Sequence, residues 1–271
     1  MSNKEITGIC RLCGKEGKLS FEHVPPHSAF NTRPVKTVGI EEILYAESEE
    51  RMPWDIADLK GSISRKGLGG YFLCEDCNNK TGAWYGAHYK KFAHCICSVA
   101  NEIIAQDMYG AEDIRIEGLR PLAIYKQIIT MFCDINPGFF GDSTVREFLL
   151  DKENKNFDTD KYKVFIYVPG GNMQKIVGES AFIPMTGSSK SFLVSEITSY
   201  PIGLILFVDK PDDVVIQGTD LSPFAKMDYK ESANIVLSLN RLDVNTIFPM
   251  DYRTELEVRK DSQANMNIDK V

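Results

Sequence analysis

Cys10-x-x-Cys13 and Cys74-x-x-Cys77 are two knuckles of the kind that together hold one tetrahedral Zn²⁺ through four thiolates. Between them stands Glu22-His23, and Asn78 follows Cys77 directly. A tetrathiolate zinc has a closed coordination sphere and does no hydrolysis itself. Hydrolysis of a phosphodiester needs an activated water and a counter-charge for the developing alkoxide. A neutral imidazole, with an ordinary pKa of about 6.5, suits the first task, and a hard, oxygen-ligated cation such as Mg²⁺ or Mn²⁺ suits the second. A base-capable histidine between the halves of a zinc site therefore suggests a metal-assisted phosphodiesterase.

The elements that would position these residues follow from pattern. Gly14 and Gly17 allow the turns of a knuckle and a β-hairpin over residues 8–26, and Leu19-Ser20-Phe21 is a short extended run that Pro25-Pro26 ends. Residues 27–66 form a polar, charge-mixed insertion with Glu47–Arg51 and Pro53-Trp54. Tyr71-Phe72-Leu73 is a second short strand entered through Gly67, Gly69 and Gly70. From Cys77, apolar positions at Trp84, Tyr85, Tyr89, Phe92, Ile96 and Val99 predict a helix to about Met108. The 60 residues between Cys13 and Cys74 exceed ordinary zinc-ribbon spacing. Hairpin, insertion, strand and helix describe a treble clef, with Cys77 in the first helical turn, where the helix dipole favours a thiolate.

A helix is predicted from Pro121 to Asn136-Pro137-Gly138, and Thr144 with Glu147 resembles a capping box opening a helix through Leu150. Beyond residue 160, Tyr162–Val168, Lys175–Val177, Ser191–Ile197 and Pro201–Val208 read as strands, separated by turns that include Thr-Gly-Ser-Ser. Residues 261–267 are expected to fray.

All four histidines and six of the seven cysteines fall within residues 1–97. Residues 1–100 carry 13 Lys and Arg against 12 Asp and Glu, whereas the remainder carries 18 against 26. A net charge of −7 argues against a broad nucleic-acid coat, though Arg65, Lys66, Lys80, Lys90 and Lys91 could form a local phosphate track. No apolar run approaches the roughly 20 residues of a membrane span, and Met1-Ser2-Asn3-Lys4-Glu5 lacks a signal-peptide pattern. The expectation is a cytoplasmic protein whose odd number of cysteines stays reduced for metal.

Cys10-Arg-Leu-Cys13, Glu22-His23-Val24-Pro25-Pro26 and Cys74-Glu-Asp-Cys77-Asn78, in this order, resemble the HNH (His-Me finger, ββα-metal) endonuclease family over residues 8–92. The resemblance implies that His23 is the general base that removes a proton from the attacking water. It implies that Glu22 and Asn78 offer oxygens to a catalytic Mg²⁺ or Mn²⁺, and that Cys10, Cys13, Cys74 and Cys77 hold a separate structural Zn²⁺. It also implies a nucleic-acid substrate, DNA first, and a layout similar to stand-alone bacterial enzymes of mobile elements or anti-phage defence. Where family members carry a second His or Asn ligand, this chain has Gly82, leaving the ion with more waters or with help from His27, Asn79 or His88. Gly69-Gly70 replaces the Asn that usually steadies the catalytic loop. Adjacent strand residues point to opposite faces, so Glu22 and His23 meet one phosphate only where the strand twists or ends.

The expected fold class is thus α+β. An HNH-like zinc-bound nuclease domain (1–110; treble-clef or ββα-metal finger with insertion) leads through a helical connector (111–155) to a mainly antiparallel β-rich region (156–271). That last region offers no chemistry and could meet a ligand or protein partner. The competing reading is a non-catalytic zinc module that docks nucleic acid or protein. In it His23 packs, Asn78 caps or solvates its helix, and Trp84, Tyr85 and Tyr89 are core. Cys95, Cys97 and Cys133 are read as buried helix positions, and His94 carries no reading.

Overall fold

The computed structural model describes residues 5–46, 51–182 and 191–268. The first knuckle is the turn of a hairpin between β1 (Thr7–Ile9) and β2 (Glu16–His23). The insertion contains β3 (Val35–Thr37), α1 (Ile40–Leu44) and β4 (Ser62–Ser64), with β3 and β4 forming a ribbon of their own. β5 (Gly69–Cys74) returns antiparallel to β2, so the first sheet runs β1-β2-β5. The chain passes straight from β5 into α2 (Glu75–Thr81), a π-helical turn (Gly82–Gly86) and α3 (Ala87–Ala105). Tyr89, Phe92, Ala93, Ile96, Ala100 and Ile103 recur at helical spacing and form the buried face of α3.

Residues 111–119, expected to belong to a helical connector, form β6 (Ala111–Leu119) instead. Ile114 and Ile116 are buried between the exposed Asp113, Arg115 and Glu117, a period that suits a strand, and Leu119 is buried beyond a break in register. α4 (Pro121–Ile135) has proline at its first position, and 14 of its 15 residues are buried, which makes it the central helix of the protein. α5 (Ser143–Leu150) is capped by Asp142, whose carboxylate accepts from the Thr144 amide; Thr144 itself is inside the helix.

β7 (Tyr162–Gly170), β8 (Lys175–Phe182), β9 (Phe192–Ser199), β10 (Ile202–Val208), the short β11 (Thr219–Asp220) and β12 (Ala233–Asp243) complete a seven-stranded sheet with β6. Its order is β6-β12-β7-β10-β9-β8, with β11 beside β7. Every pairing is antiparallel except β12 with β7, which is parallel. The middle of the sheet is buried on both faces, which explains the apolar run of β10: Ile202, Leu204, Leu206 and Val208 share a cluster with α4, while Ile205 and Phe207 join Phe165 and Phe192 behind it. The cluster on the α4 side also takes in Cys10, Leu12, Leu73, Phe92 and Ile96, so the finger and the large sheet share one core. Residues 255–268, expected to fray in part, form α6 (Glu255–Ile268). The Thr-Gly-Ser-Ser turn and Glu47–Glu50 lie outside the described residues. Among the described residues no helix is long and apolar enough to cross a membrane.

Lys126 of α4 is fully buried; its ammonium donates to the carbonyls of Phe148 (2.5 Å) and Asp151 (2.6 Å). Burial pushes its pKa down to about 7 from an ordinary 10.5. Between those two pH values the unfolded chain binds a proton that the folded chain lacks, so stability rises with pH across that window. From pH 7 to pH 9 the wild type is expected to gain roughly 2 kcal/mol relative to Lys126→Met in chemical denaturation. Parallel pH dependences of the two proteins would contradict the assignment.

Candidate metal centre and active site

Cys10 and Cys13 stand in the β1–β2 turn, Cys74 ends β5 and Cys77 lies in the first turn of α2. Gly14, at φ +73°, closes the knuckle with a bond from its amide to the Cys10 carbonyl (2.9 Å), and the Cys13 amide points at the Cys10 sulfur (3.5 Å). The four Sγ atoms lie within 4.8 Å of one another, and Cys13 Sγ is 3.8 Å from Cys74 Sγ. A tetrahedron with Zn–S bonds of about 2.3 Å has edges of roughly 3.8 Å, so the cluster fits zinc. Cys10 and Cys77 are buried, and a hydrogen bond from the Cys77 thiol holds the Cys10 thiol down to about 4 while Cys77 is pushed up. A divalent cation bound there would be held by the four sulfurs as thiolates and would displace their remaining protons.

His23 is the last residue of β2 and is half-buried. Its Nε2 lies 2.9 Å from the Lys66 carbonyl, which can only accept; Nε2 therefore carries the hydrogen and Nδ1 keeps a free lone pair. Burial lowers the His23 pKa; the Lys66 carbonyl opposes this, and His27 and the Lys66 ammonium add to it. Lys66 Nζ sits 4.9 Å above the Phe21 ring, and the His27 ring is 5.2 Å from that of His23.

Two residues brace this end of the strand. Gly69 faces His23 across the ladder at φ +151°, where a Cβ would lie 2.1 Å from the Glu22 carbonyl. Asn31 is buried; its amide donates to the Pro25 and Leu68 carbonyls (both 2.7 Å) and accepts from the Leu68 amide (2.8 Å). Asn31 thus ties the exit of β2 to the loop that carries Lys66. No local pattern in the sequence marks it, because its partner loop lies 37 residues away.

Asn78 does not cap α2. Its amide donates across to Ser20 Oγ (3.0 Å) and the Phe21 carbonyl (3.3 Å) of β2. By strand alternation Ser20 and Glu22 share the face toward α2, while Phe21 and His23, whose rings touch at 5.0 Å, share the other. A bulge at Phe72 of β5 breaks the register between Ser20 and Phe21 and raises the local twist just before Glu22. Burial pushes the Glu22 carboxyl up to about 7. The structure thus brings Asn78 of α2 onto the face of β2 that Ser20 and, by alternation, Glu22 share, gathers the four cysteines in one cluster, and sets His23 on the opposite strand face with His27 and Lys66.

Other candidates go elsewhere. His88 packs against Tyr229 (6.5 Å), and Asn79 is exposed. Lys91 donates to the carbonyls of Glu117 (2.8 Å) and Gly118 (2.7 Å), which occupies it structurally. Tyr85 and Tyr89 are buried, as the packing reading expects, and Tyr85 donates to the Leu149 carbonyl (2.8 Å). Cys133 is buried, but Cys95 and Cys97 are only half-buried, at the margin of the α3 face. His94 bonds the Ser28 carbonyl (3.1 Å). A cavity of about 650 Å³ lies between the insertion and β8, lined by Val35, Ile40, Leu68, Lys175 and Val177 among others, away from Glu22 and His23. Comparisons with protein-family models, curated proteins and solved structures gave no match.

Proposed function

We propose that the chain is a metal-dependent endonuclease of the HNH kind, hydrolysing phosphodiester bonds of DNA. The observation that carries this is the state of His23: half-buried at a strand end, with its tautomer fixed by the Lys66 carbonyl and Nδ1 left to accept a proton. Low basicity from burial keeps that nitrogen unprotonated near neutral pH. In this reading Cys10, Cys13, Cys74 and Cys77 hold a structural zinc in a treble clef, and β2, β5 and α2 make the ββα-metal arrangement. Glu22 and Asn78 would hold Mg²⁺ or Mn²⁺, which supplies Lewis acidity toward the phosphodiester when bound. His23 takes the proton of the attacking water at Nδ1, and Lys66 offers positive charge beside the phosphate.

One observation favours a second reading, a zinc-stapled module that docks nucleic acid or a protein. Strand alternation separates His23 from the face that carries Glu22 and Asn78. Supercoiled plasmid incubated with zinc-replete protein and either Mg²⁺ or Mn²⁺ decides between the two. Conversion to open-circular or linear DNA is the expected result. An intact plasmid under both ions, with one zinc per chain, would leave the docking module as the function.

A further inference from the structure

Two strand edges wall the cavity between the insertion and the large sheet. β8 ends the order of the seven-stranded sheet and pairs with β9 alone, and β3 pairs with β4 alone. Residues 173–180, in unbroken succession, line the cavity from one side, and residues 35–40 line it from the other. No described residue of β9 or of β4 does so. A strand that turned its face to the cavity would contribute every second residue, and its ladder partner would contribute as well. Unbroken succession from one strand alone marks an edge, where the N–H and C=O groups of alternate residues point outward. Among the described residues, the main chain of 35–38 and of 174–177 makes no backbone bond outside these two ladders. The open stretch of β8 has defined ends. The Met173 amide donates to the Val244 carbonyl (3.0 Å), and past the bulge that follows Val177 the Glu179 amide donates to Asn136 Oδ1 (2.7 Å).

The size and chemistry of the slot select its occupant. A strand rise of about 3.4 Å, a strand spacing of about 4.8 Å and a layer depth of about 10 Å assign about 160 Å³ to each residue of a sheet. The cavity of about 650 Å³ therefore holds about four extended residues, the length of the open stretch. Ile40, Ile43, Ile56, Leu68, Met173 and Ile247 make it apolar. The two lysines in its wall have partners: Lys36 donates to the Ala57 carbonyl (2.8 Å), and buried Lys175 donates to the Phe248 carbonyl (2.7 Å) and pairs with Glu196 (3.1 Å). An uncharged occupant is thus the complementary one. A small apolar molecule would fill the volume but leave the outward amides and carbonyls of both edges unpaired.

We propose that the slot takes an extended, uncharged peptide segment of a partner protein, which enters as a strand between β8 and β3 and joins the large sheet to the ribbon of the insertion. Occupation of the slot does not depend on the endonuclease reading, since neither Glu22, His23 nor the cysteines line it. The probes are acetylated and amidated hexapeptides that alternate Thr with Val, Ile or Leu, titrated onto the zinc-loaded full chain. At least one is expected to bind with a Kd below about 100 μM, and hydrogen exchange at 35–38 and at 174–177 should slow together on binding. N-methylation of either alternate set of peptide amides removes one ladder and should weaken binding at least about tenfold. Ile40→Arg, at a position 46% exposed and so tolerant of the change, should weaken it as much while zinc content and thermal midpoint hold. Failure of every peptide up to about 1 mM, equal binding of the N-methylated forms, or protection of one stretch without the other would overturn the proposal. Slow exchange at both stretches before any peptide is added would also overturn it, since the chain would then close its own edges. Binding of anilinonaphthalenesulfonate that no peptide displaces would leave a small-molecule pocket in its place.

Discussion

Cys77→Ser is expected to release the zinc and melt the finger together with part of the main core. A serine hydroxyl stays protonated at neutral pH and is a poor fourth ligand, whereas thiolate is the form that zinc binds. Structural zinc sites contribute apparent binding free energies on the order of 10–16 kcal/mol in isolated fingers, as large as the whole stability of a typical domain at about 5–15 kcal/mol. Here the damage spreads further. Cys10, Leu12, Leu73 and Cys77 belong to the same apolar cluster as Phe92, Ile96, Phe132 and Leu204. Losing the ion frees the start of α2, and with it the Asn78 bonds to Ser20 and Phe21 that hold the helix against β2. Elemental analysis should find one zinc per wild-type chain and well below one in the variant. Circular dichroism should show a much lower thermal midpoint, with the wild type following it after chelation. Wild-type protein that is folded, stable and free of zinc would end the metal assignment and weaken everything placed beside it.

How far these features could be read from the chain depended on whether their cause was local. β2, β5, α3 and α4 follow from periodicity and from Pro, Gly and Cys punctuation, and the knuckles follow from spacing. β6 is also legible, since Ile114 and Ile116 alternate with charged Asp113, Arg115 and Glu117. α6 carried its own signal in Thr254-Glu255-Leu256-Glu257. Glu257 accepts from the Thr254 amide (2.8 Å), and the Glu257 amide donates to Thr254 Oγ1 (3.3 Å), a capping box. Thr144 and Glu147 have that same spacing, yet Asp142 takes the cap, because a carboxylate two residues earlier reaches the Thr144 amide first. The braces of the site could not be read this way. Asn31 acts across 37 residues, so it leaves no local pattern. Gly69-Gly70, read as a missing Asn, proves to be a steric requirement, since a side chain at Gly69 would strike the Glu22 carbonyl.

His23→Ala should remove nearly all nicking while leaving zinc and fold untouched, because the imidazole lies at the end of the strand, outside the metal cluster and only half-buried. General-base catalysis contributes about 10²–10⁴ in rate, and the nicking rate should fall by that order. The cost to stability should stay small, since among the described residues the ring makes one hydrogen bond, to the Lys66 carbonyl, and edge contacts with Phe21 and His27. His23→Gln sharpens the test. Its amide can donate to the Lys66 carbonyl as the imidazole does, so loop position is kept, but a carboxamide cannot take up a proton near neutral pH. If His23 serves only to hold the loop, Gln should restore function; if it takes the proton, Gln should be as inactive as Ala. The deciding measurement is therefore the ratio of Gln to Ala nicking rates at matched zinc content and thermal midpoint. A ratio near one, with both far below wild type, is the expected result, and activity near wild type in the Gln variant would reduce His23 to a positioning residue.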